Sequence, residues 1–97
     1  MVSSFDYEEL SAFRKLEPES PVGIFFREIP VGIFEFAGCI RAFSFNPFFQ
    51  IVDTELVDAA HREGIRVLVW TVDEPEDIDR IKTLGVDGIC SNYPDRI

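Results

Sequence analysis

Few residues of this 97-residue chain could perform acid–base or metal chemistry. General acid–base catalysis needs an acid and a base within reach of the same reacting atoms, and a metal site needs several clustered oxygen or nitrogen ligands. His61 is the only histidine, and it stands on a predicted amphipathic helix just before Gly64. Most acidic residues also fall on predicted helices, and the chain has no phosphate-binding glycine loop of the Walker or Rossmann type. We therefore assign no catalytic residue and no metal ligand from the sequence.

A second set of polar and aromatic residues directly follows the short apolar runs of the chain. In a β/α protein with parallel strands, ligands are bound where the strands end, so residues at these points are candidates for binding. They are Ser3, Ser4 and Phe5; Asn46 and Pro47; Trp70, Thr71 and Asp73; and Ser91, Asn92 and Tyr93.

The elements that must position these residues alternate between strand and helix. Apolar runs predict strands at Val2–Phe5, Val22–Phe26, Ile40–Phe45, Ile65–Val72 and Val86–Cys90. Capping residues, prolines and glycines predict helices from Asp6 to about Leu16, from Pro30 to Gly38, from Asp53 or Thr54 to Gly64, and from Pro75 to Gly85. This order predicts an α/β fold with parallel strands and helical crossovers. The sequence Pro-Val-Gly-Ile-Phe occurs at residues 21–25 and again at 30–34, so an extended second copy stays an alternative.

Composition limits both the size of the core and the class of partner. A chain of this length suits one domain, residues 1–97, yet 46% of its residues are hydrophobic and ten are Phe, so we expect apolar surface for a partner. The formal charge of −9 argues against nucleic acid as a partner. No apolar stretch reaches the about 18 residues of a membrane span, and no signal pattern is present, so we predict a cytoplasmic protein. Cys39 and Cys90 lack metal-type spacing, which predicts buried, reduced thiols.

Three stretches resemble the C-terminal half of glycerophosphodiester phosphodiesterases, a family of TIM-barrel enzymes. They are V-S-S-F-D at residues 2–6, F-N-P at 45–47, and residues 64–97 with W-T-V-D, G-V-D-G-I and Y-P-D-R. The resemblance implies the C-terminal half of a (β/α)8 barrel, with about five strands and four helices, because a complete barrel takes about 250 residues. It also implies the hydrolysis of glycerophosphodiesters to glycerol 3-phosphate and an alcohol, in lipid metabolism. The family's two histidines and its divalent cation, Mg or Ca, belong to the other half of the barrel.

The same resemblance gives roles to some of the candidate residues. Phe5 and Trp70 correspond to residues that line the substrate cleft, and packing at the top of the barrel is the alternative for both. Ser4, Asn46, Asn92 and Tyr93 correspond to loop positions at the same face, where they shape the loops or contact cleft residues indirectly. His61 resembles the end of an outer helix and not the catalytic His-Arg-Gly motif, so we expect it to interact with the helix C-terminus.

Three functional hypotheses stay open. The chain is the C-terminal half of a phosphodiesterase, inactive alone and completed by a separate N-terminal half-barrel; or a non-catalytic half-barrel that self-associates or binds a ligand; or part of another phosphate-binding TIM-barrel enzyme. The predicted partners are therefore a second copy of the chain or the N-terminal half, with a small glycerophosphodiester bound once the barrel is complete. Because Met1 adjoins the first predicted strand, we expect a truncated or excised piece of a longer domain.

Overall fold

Strands and helices alternate in the computed structural model, which describes residues 2–93 and residue 95. The strands are β1 (Val2–Ser4), β2 (Val22–Phe26), β3 (Ser44–Pro47), β4 (Arg66–Val69) and β5 (Gly88–Ile89). The helices are α1 (Tyr7–Leu16), α2 (Ile33–Ile40), α3 (Thr54–Arg62) and α4 (Pro75–Lys82), and a short 3-10 helix, Phe49–Ile51, follows β3. The alternation expected from the sequence is confirmed.

The five strands form one parallel sheet in the order of the chain, from β1 to β5. Right-handed crossovers between sequential neighbours put the helices on one face of the sheet. Side chains alternate between the two faces, and those on the helix-covered face are apolar and buried: Val22, Ile24, Phe26, Phe45, Val67 and Val69. The opposite face, called the open face below, carries Ser3, Gly23, Phe25, Ser44, Asn46, Leu68 and Gly88.

Local signals at the helix ends account for most of the element boundaries. Asp6 and Asp53 cap α1 and α3, because their carboxylates accept hydrogen bonds from backbone N–H groups of the first turn. Pro75 is the first residue of α4, where its missing N–H costs nothing. Gly64 and Gly85 follow α3 and α4 with φ of +73° and +80°, a conformation that favours glycine. These five boundaries agree with the prediction.

The segment between β2 and β3 differs from the prediction. Helix α2 runs to Ile40 instead of stopping at Gly38, so β3 begins at Ser44 and not at Ile40. Gly38 keeps a helical backbone, and Arg41 ends the helix with φ of +50°. The second Pro-Val-Gly-Ile-Phe copy enters α2, since Gly32 adopts φ of +76° and the next two residues are helical, whereas the first copy contains β2. The extended alternative is therefore wrong.

The two cysteines also differ from the prediction, because both are exposed. Cys39 lies on the solvent side of α2. Cys90 follows β5 and shares the side of Gly88, since the intervening Ile89 packs against the core. An apolar sequence neighbourhood did not fix the face on which each thiol lies.

Arg14 of α1 connects the α1–β2 loop with the end of α2 through hydrogen bonds. Its Nε donates to the carbonyl oxygen of Ile40 at 2.6 Å and its Nη1 to that of Ser20 at 2.8 Å. Its guanidinium also reaches the carbonyl oxygens of Glu17, Pro18 and Arg41 at 3.0, 3.0 and 3.3 Å. The side chain thereby fixes the α1–β2 loop against the end of α2.

Candidate functional site

Four aromatic side chains meet where the parallel strands end. Phe5 and Trp70 directly follow β1 and β4, Phe25 lies near the end of β2, and Phe48 follows β3. The ring centroids of Phe5 and Phe25 are 5.3 Å apart, and the Trp70 ring lies 5.8, 5.6 and 5.2 Å from those of Phe5, Phe25 and Phe48. These separations are typical of favourable aromatic pairs. We call this group the aromatic cluster; it contains both residues that the sequence predicts for a cleft wall.

Trp70 is the centre of the cluster and is held in place by hydrogen bonds. Its indole Nε1 donates to the backbone carbonyl of Asn46 at 2.6 Å. Its backbone N–H donates to Pro47 at 3.3 Å, and its carbonyl accepts from Phe49 at 2.9 Å. The indole plane is thus fixed by the β3–β4 ladder, with one part of the ring system left accessible. Phe5 is more open, with 54% of its surface exposed.

Arg27 is the cation of this region. It directly follows β2, and its Cζ lies 5.1 Å from the ring centroid of Phe48 and 5.1 Å from that of Trp70. A guanidinium within about 6 Å of an aromatic ring is attracted by the negative ring face. The rings therefore hold a positive charge at the C-terminal ends of the strands.

Polar side chains occupy the open face below the aromatic cluster. Ser44 Oγ donates to Asn46 Oδ1 at 2.7 Å, and both residues are buried. Gly23 leaves room for this pair, since a Cβ there would lie 2.7 Å from Asn46 Oδ1 and 2.8 Å from Ser44 Oγ. Asn46 was expected in a turn after the strand; it lies inside β3 because the strand begins four residues later than predicted.

Hydrogen bonds of side-chain oxygens fix the loops after β1, β4 and β5. Ser4 Oγ accepts from the backbone of Asp6 at 2.9 Å, just before α1. Asp73 accepts from Ser91 Oγ at 3.1 Å, and from the backbone and side-chain amide of Asn92 at 2.8 and 3.1 Å. The backbone N–H of Tyr93 donates to Ser91 Oγ at 3.0 Å, and the exposed Tyr93 ring is not among the four clustered rings. Ser4, Asn92 and Tyr93 thus lie in turns at this edge.

The profile of the Glycerophosphoryl diester phosphodiesterase family matches residues 1–96. The chain belongs to this family. A glycerophosphodiester phosphodiesterase of Caldanaerobacter subterraneus is 31% identical over 97 residues, which are 100% of this chain and 40% of the relative. A putative family member from Silicibacter pomeroyi, of known structure, is 37% identical with a TM-score of 0.86, over 97% of this chain and 34% of that one.

The match extends to a structure with a bound product. An Oleispira antarctica phosphodiesterase in complex with sn-glycerol-3-phosphate is 25% identical with a TM-score of 0.89, over 98% of this chain and 38% of that one. These relatives are TIM barrels, and the matching segment is their C-terminal part. The predicted partial (β/α)8 barrel of five parallel strands and four helices is therefore confirmed. The chain spans about 40% of the length of the curated relatives it matches.

His61 lies at the opposite end of the sheet from the aromatic cluster. Its Nε2 is 2.7 Å from Asp87 Oδ2, which also accepts from the backbone N–H of Val67 at 2.8 Å, near the start of β4. Partial burial raises the pKa of Asp87, but the hydrogen bonds from Val67 and His61 and the nearby charges of His61 and Arg66 outweigh it and lower the pKa. His61 thus lies in the last turn of α3, at the helix C-terminus that the sequence indicated, and its ring contacts a carboxylate.

The described residues do not form a metal centre. Within residues 2–93 and 95, no group of three or more His, Cys, Asp and Glu side chains could hold a metal ion. Asp73, the acid nearest in sequence to Trp70, instead binds the β5 loop. The side chains in this described part therefore do not by themselves make up a site for the divalent cation that the family resemblance implies. None of the helices in this described part is long and apolar enough to cross a membrane.

Sequence reasoning missed three members of this site: Phe25, Phe48 and Arg27. Strand alternation carried a signal for the first, because Phe25 is two residues from Gly23 and so shares the open face of β2. Phe48 lies beyond the predicted strand, and its isolated bridge to Trp70 depends on the register between β3 and β4. Arg27 directly follows the predicted strand Val22–Phe26, so its place at a strand end had a local signal, but its position over two rings depends on that same register.

Proposed function

We propose that this chain supplies one wall of the substrate cleft of a glycerophosphodiester phosphodiesterase. The observation that carries the proposal is the aromatic cluster, which lies at the C-terminal ends of parallel strands, where barrel enzymes bind ligands. The reaction is hydrolysis of a glycerophosphodiester to glycerol 3-phosphate and an alcohol. Such substrates place the protein in lipid metabolism, and we propose a cytoplasmic location.

The aromatic cluster contributes binding and orientation to this reaction. Its rings give the carbon skeleton of the substrate an apolar surface and exclude water from one side of the cleft. Trp70 is suited to orientation, because its indole N–H is bound to the Asn46 carbonyl and its plane cannot turn freely. Phe5 closes the adjacent end of the wall.

The acid, the base and the metal ligands come, in this proposal, from residues outside the chain. Acid–base hydrolysis needs both groups within hydrogen-bond reach of the scissile phosphodiester. His61 binds Asp87 at the other end of the sheet and so is remote from the cleft wall. The chain alone is therefore proposed to be inactive, and no catalytic step is assigned to its own residues.

A chimera tests this function. The chain would replace the matching C-terminal segment of the Caldanaerobacter relative, and the release of glycerol 3-phosphate from glycerophosphocholine or glycerophosphoethanolamine would be measured with Mg or Ca. We expect hydrolysis by the chimera and none by the purified chain. A folded but inactive chimera would contradict the proposal. Substantial turnover by the chain alone, surviving His61→Ala, would show that the catalytic groups have been misplaced.

Self-association is the second candidate, and the sheet edges favour it. Within the described residues, β1 and β5 each pair with one strand, so each has an open side. Open strand edges and exposed apolar side chains promote pairing between chains. The partner is then a second copy of this chain or a separate N-terminal half-barrel. Sedimentation equilibrium across the micromolar range tests it, and a well-folded monomer at all concentrations would count against self-association.

A further inference from the structure

We propose that Arg27 is an anion-binding residue of the cleft, which selects ligands that carry a phosphate or carboxylate group beside the aromatic cluster. The inference rests on the proposed function only in taking that cluster as the cleft wall. It goes further by naming the residue and the charge of the group that it binds.

The guanidinium of Arg27 is held by two aromatic rings. Phe48 and Trp70 hold Arg27 Cζ at 5.1 Å from each ring centroid. A guanidinium attracted to ring faces keeps its N–H donors at the edge of its plane, where they remain available to oxygen atoms. The planar fork matches the two oxygens of a phosphate or carboxylate. The rings thus orient Arg27 without using its hydrogen-bonding capacity.

No acidic side chain of the described residues pairs with Arg27, although the chain is strongly acidic. The sequence has 18 Asp and Glu against 9 Lys and Arg. Yet among residues 2–93 and 95 the Arg27 guanidinium donates no hydrogen bond and joins no ion pair. Arg14 and Arg80, by contrast, donate to backbone carbonyls. Arg27 is exposed and therefore accessible to a ligand.

Arg27 and Trp70 lie at the same edge of the sheet. Arg27 is the first residue after β2, and Trp70 is the first after β4, so both lie at the edge where the cleft wall is formed. A charge-assisted hydrogen bond in such a partly apolar setting is stronger than one in open solvent. A ligand oxygen that reaches the Trp70 ring is therefore also within the field of Arg27.

The test uses Trp70 as a reporter, because it is the only tryptophan of the chain. The emission of the purified chain would be titrated with inorganic phosphate, sn-glycerol 3-phosphate, glycerophosphoserine, glycerophosphocholine and glycerol at constant ionic strength. We expect a saturable change in emission with the ligands that carry a phosphate or carboxylate group, and none with glycerol. A response to phosphate and glycerol 3-phosphate would assign the phosphate as the bound group. A response to glycerophosphoserine alone would assign the carboxylate of the alcohol.

Three variants decide whether Arg27 carries the effect. Arg27→Gln should weaken anion binding at least about tenfold, and Arg27→Lys should weaken it less, because the charge remains while the planar fork is lost. Arg62→Gln on α3 removes the same charge elsewhere and should bind like the parent chain. Circular dichroism would check that each variant is folded.

Several outcomes would overturn the inference: no saturable change in the parent chain, equal responses to glycerol and phosphate, or unchanged affinity in Arg27→Gln. The last would mean that Arg27 only covers the rings. Because the titration needs no turnover, its failure is distinct from failure of the proposed function. An inactive chimera beside Arg27-dependent binding would refute only the phosphodiesterase proposal.

Discussion

Replacing Trp70 separates its structural role from its role in the cleft. Trp70→Ala removes three aromatic ring contacts and the hydrogen bond from Nε1 to the Asn46 carbonyl. Each ring pair contributes about 0.5–1.5 kcal/mol and the hydrogen bond about 1 kcal/mol. Because Trp70 is half-buried, we take the lower part of that range and expect a loss of about 3 kcal/mol. Trp70→Phe keeps a ring and loses the N–H donor, so its expected cost is about 1 kcal/mol.

Two measurements on the same preparations test this reasoning. Denaturation followed by far-ultraviolet circular dichroism gives the free energy of unfolding without relying on the lost fluorophore. The chimera gives kcat/KM per folded molecule. This value should fall for Trp70→Ala, because normalisation to folded protein already removes the effect of lost stability. Equal destabilisation by Trp70→Phe and Trp70→Ala would refute the division between ring contacts and hydrogen bond. Normal kcat/KM per folded molecule in Trp70→Ala would refute the cleft assignment.

Three further substitutions test the scaffold around the site, with chemical denaturation as the assay. Gly23→Ala should destabilise the sheet by about 1–3 kcal/mol, because the added Cβ would lie 2.7 Å from Asn46 Oδ1; an unchanged midpoint would contradict this packing. Arg14→Met should lower the free energy of unfolding by about 2–3 kcal/mol, because it removes the hydrogen bonds to backbone carbonyls. The control Arg62→Met should lower it by about 0.5 kcal/mol or less. Equal losses in the two variants would refute the role of Arg14 in fixing the α1–β2 loop. Asp87→Asn should lower the free energy of unfolding at neutral pH, and its difference from the parent should shrink below about pH 4. The pKa of Asp87 is lowered in the folded protein, so the carboxylate stabilises the fold above its unfolded pKa of about 3.9. This stabilisation is lost as pH falls through the folded pKa. A difference that persists at low pH would contradict this assignment.

Much of the fold could be predicted because residues near the ends of the helices determine where these helices begin and end. A carboxylate before an amphipathic run, as at Asp6, satisfies free N–H groups whatever the rest of the protein does. Proline at the start of α4 and glycine after α3 act in the same local way. The apolar runs also predicted all five strands, and the family resemblance then supplied the barrel architecture, which local signals do not contain.

The boundary between α2 and β3 could not be predicted by the same means. Gly38 resembles a helix stop, but the apolar residues on either side, Ala37 and Ile40, are buried against the sheet and continue the helix past it. The turn is instead made by Arg41 in a left-handed conformation, where its side chain also donates to the Pro18 carbonyl at 2.8 Å. Tertiary burial therefore decided this boundary over residue propensity.

The aromatic cluster shows why only some residues of a site on parallel strands can be predicted from a sequence. Phe5 and Trp70 could be named because each lies near the end of a predicted strand, and because the family resemblance gave both a place on the cleft wall. Which other rings join them depends on register: Phe25 pairs with Asn46 across β2 and β3, and Phe48 pairs with Trp70 beyond β4. A shift of one residue in either pairing would turn these side chains to the other face. Arg27 lies over two of the rings for the same reason, so the position of its charge is a property of the assembled sheet and not of the local sequence.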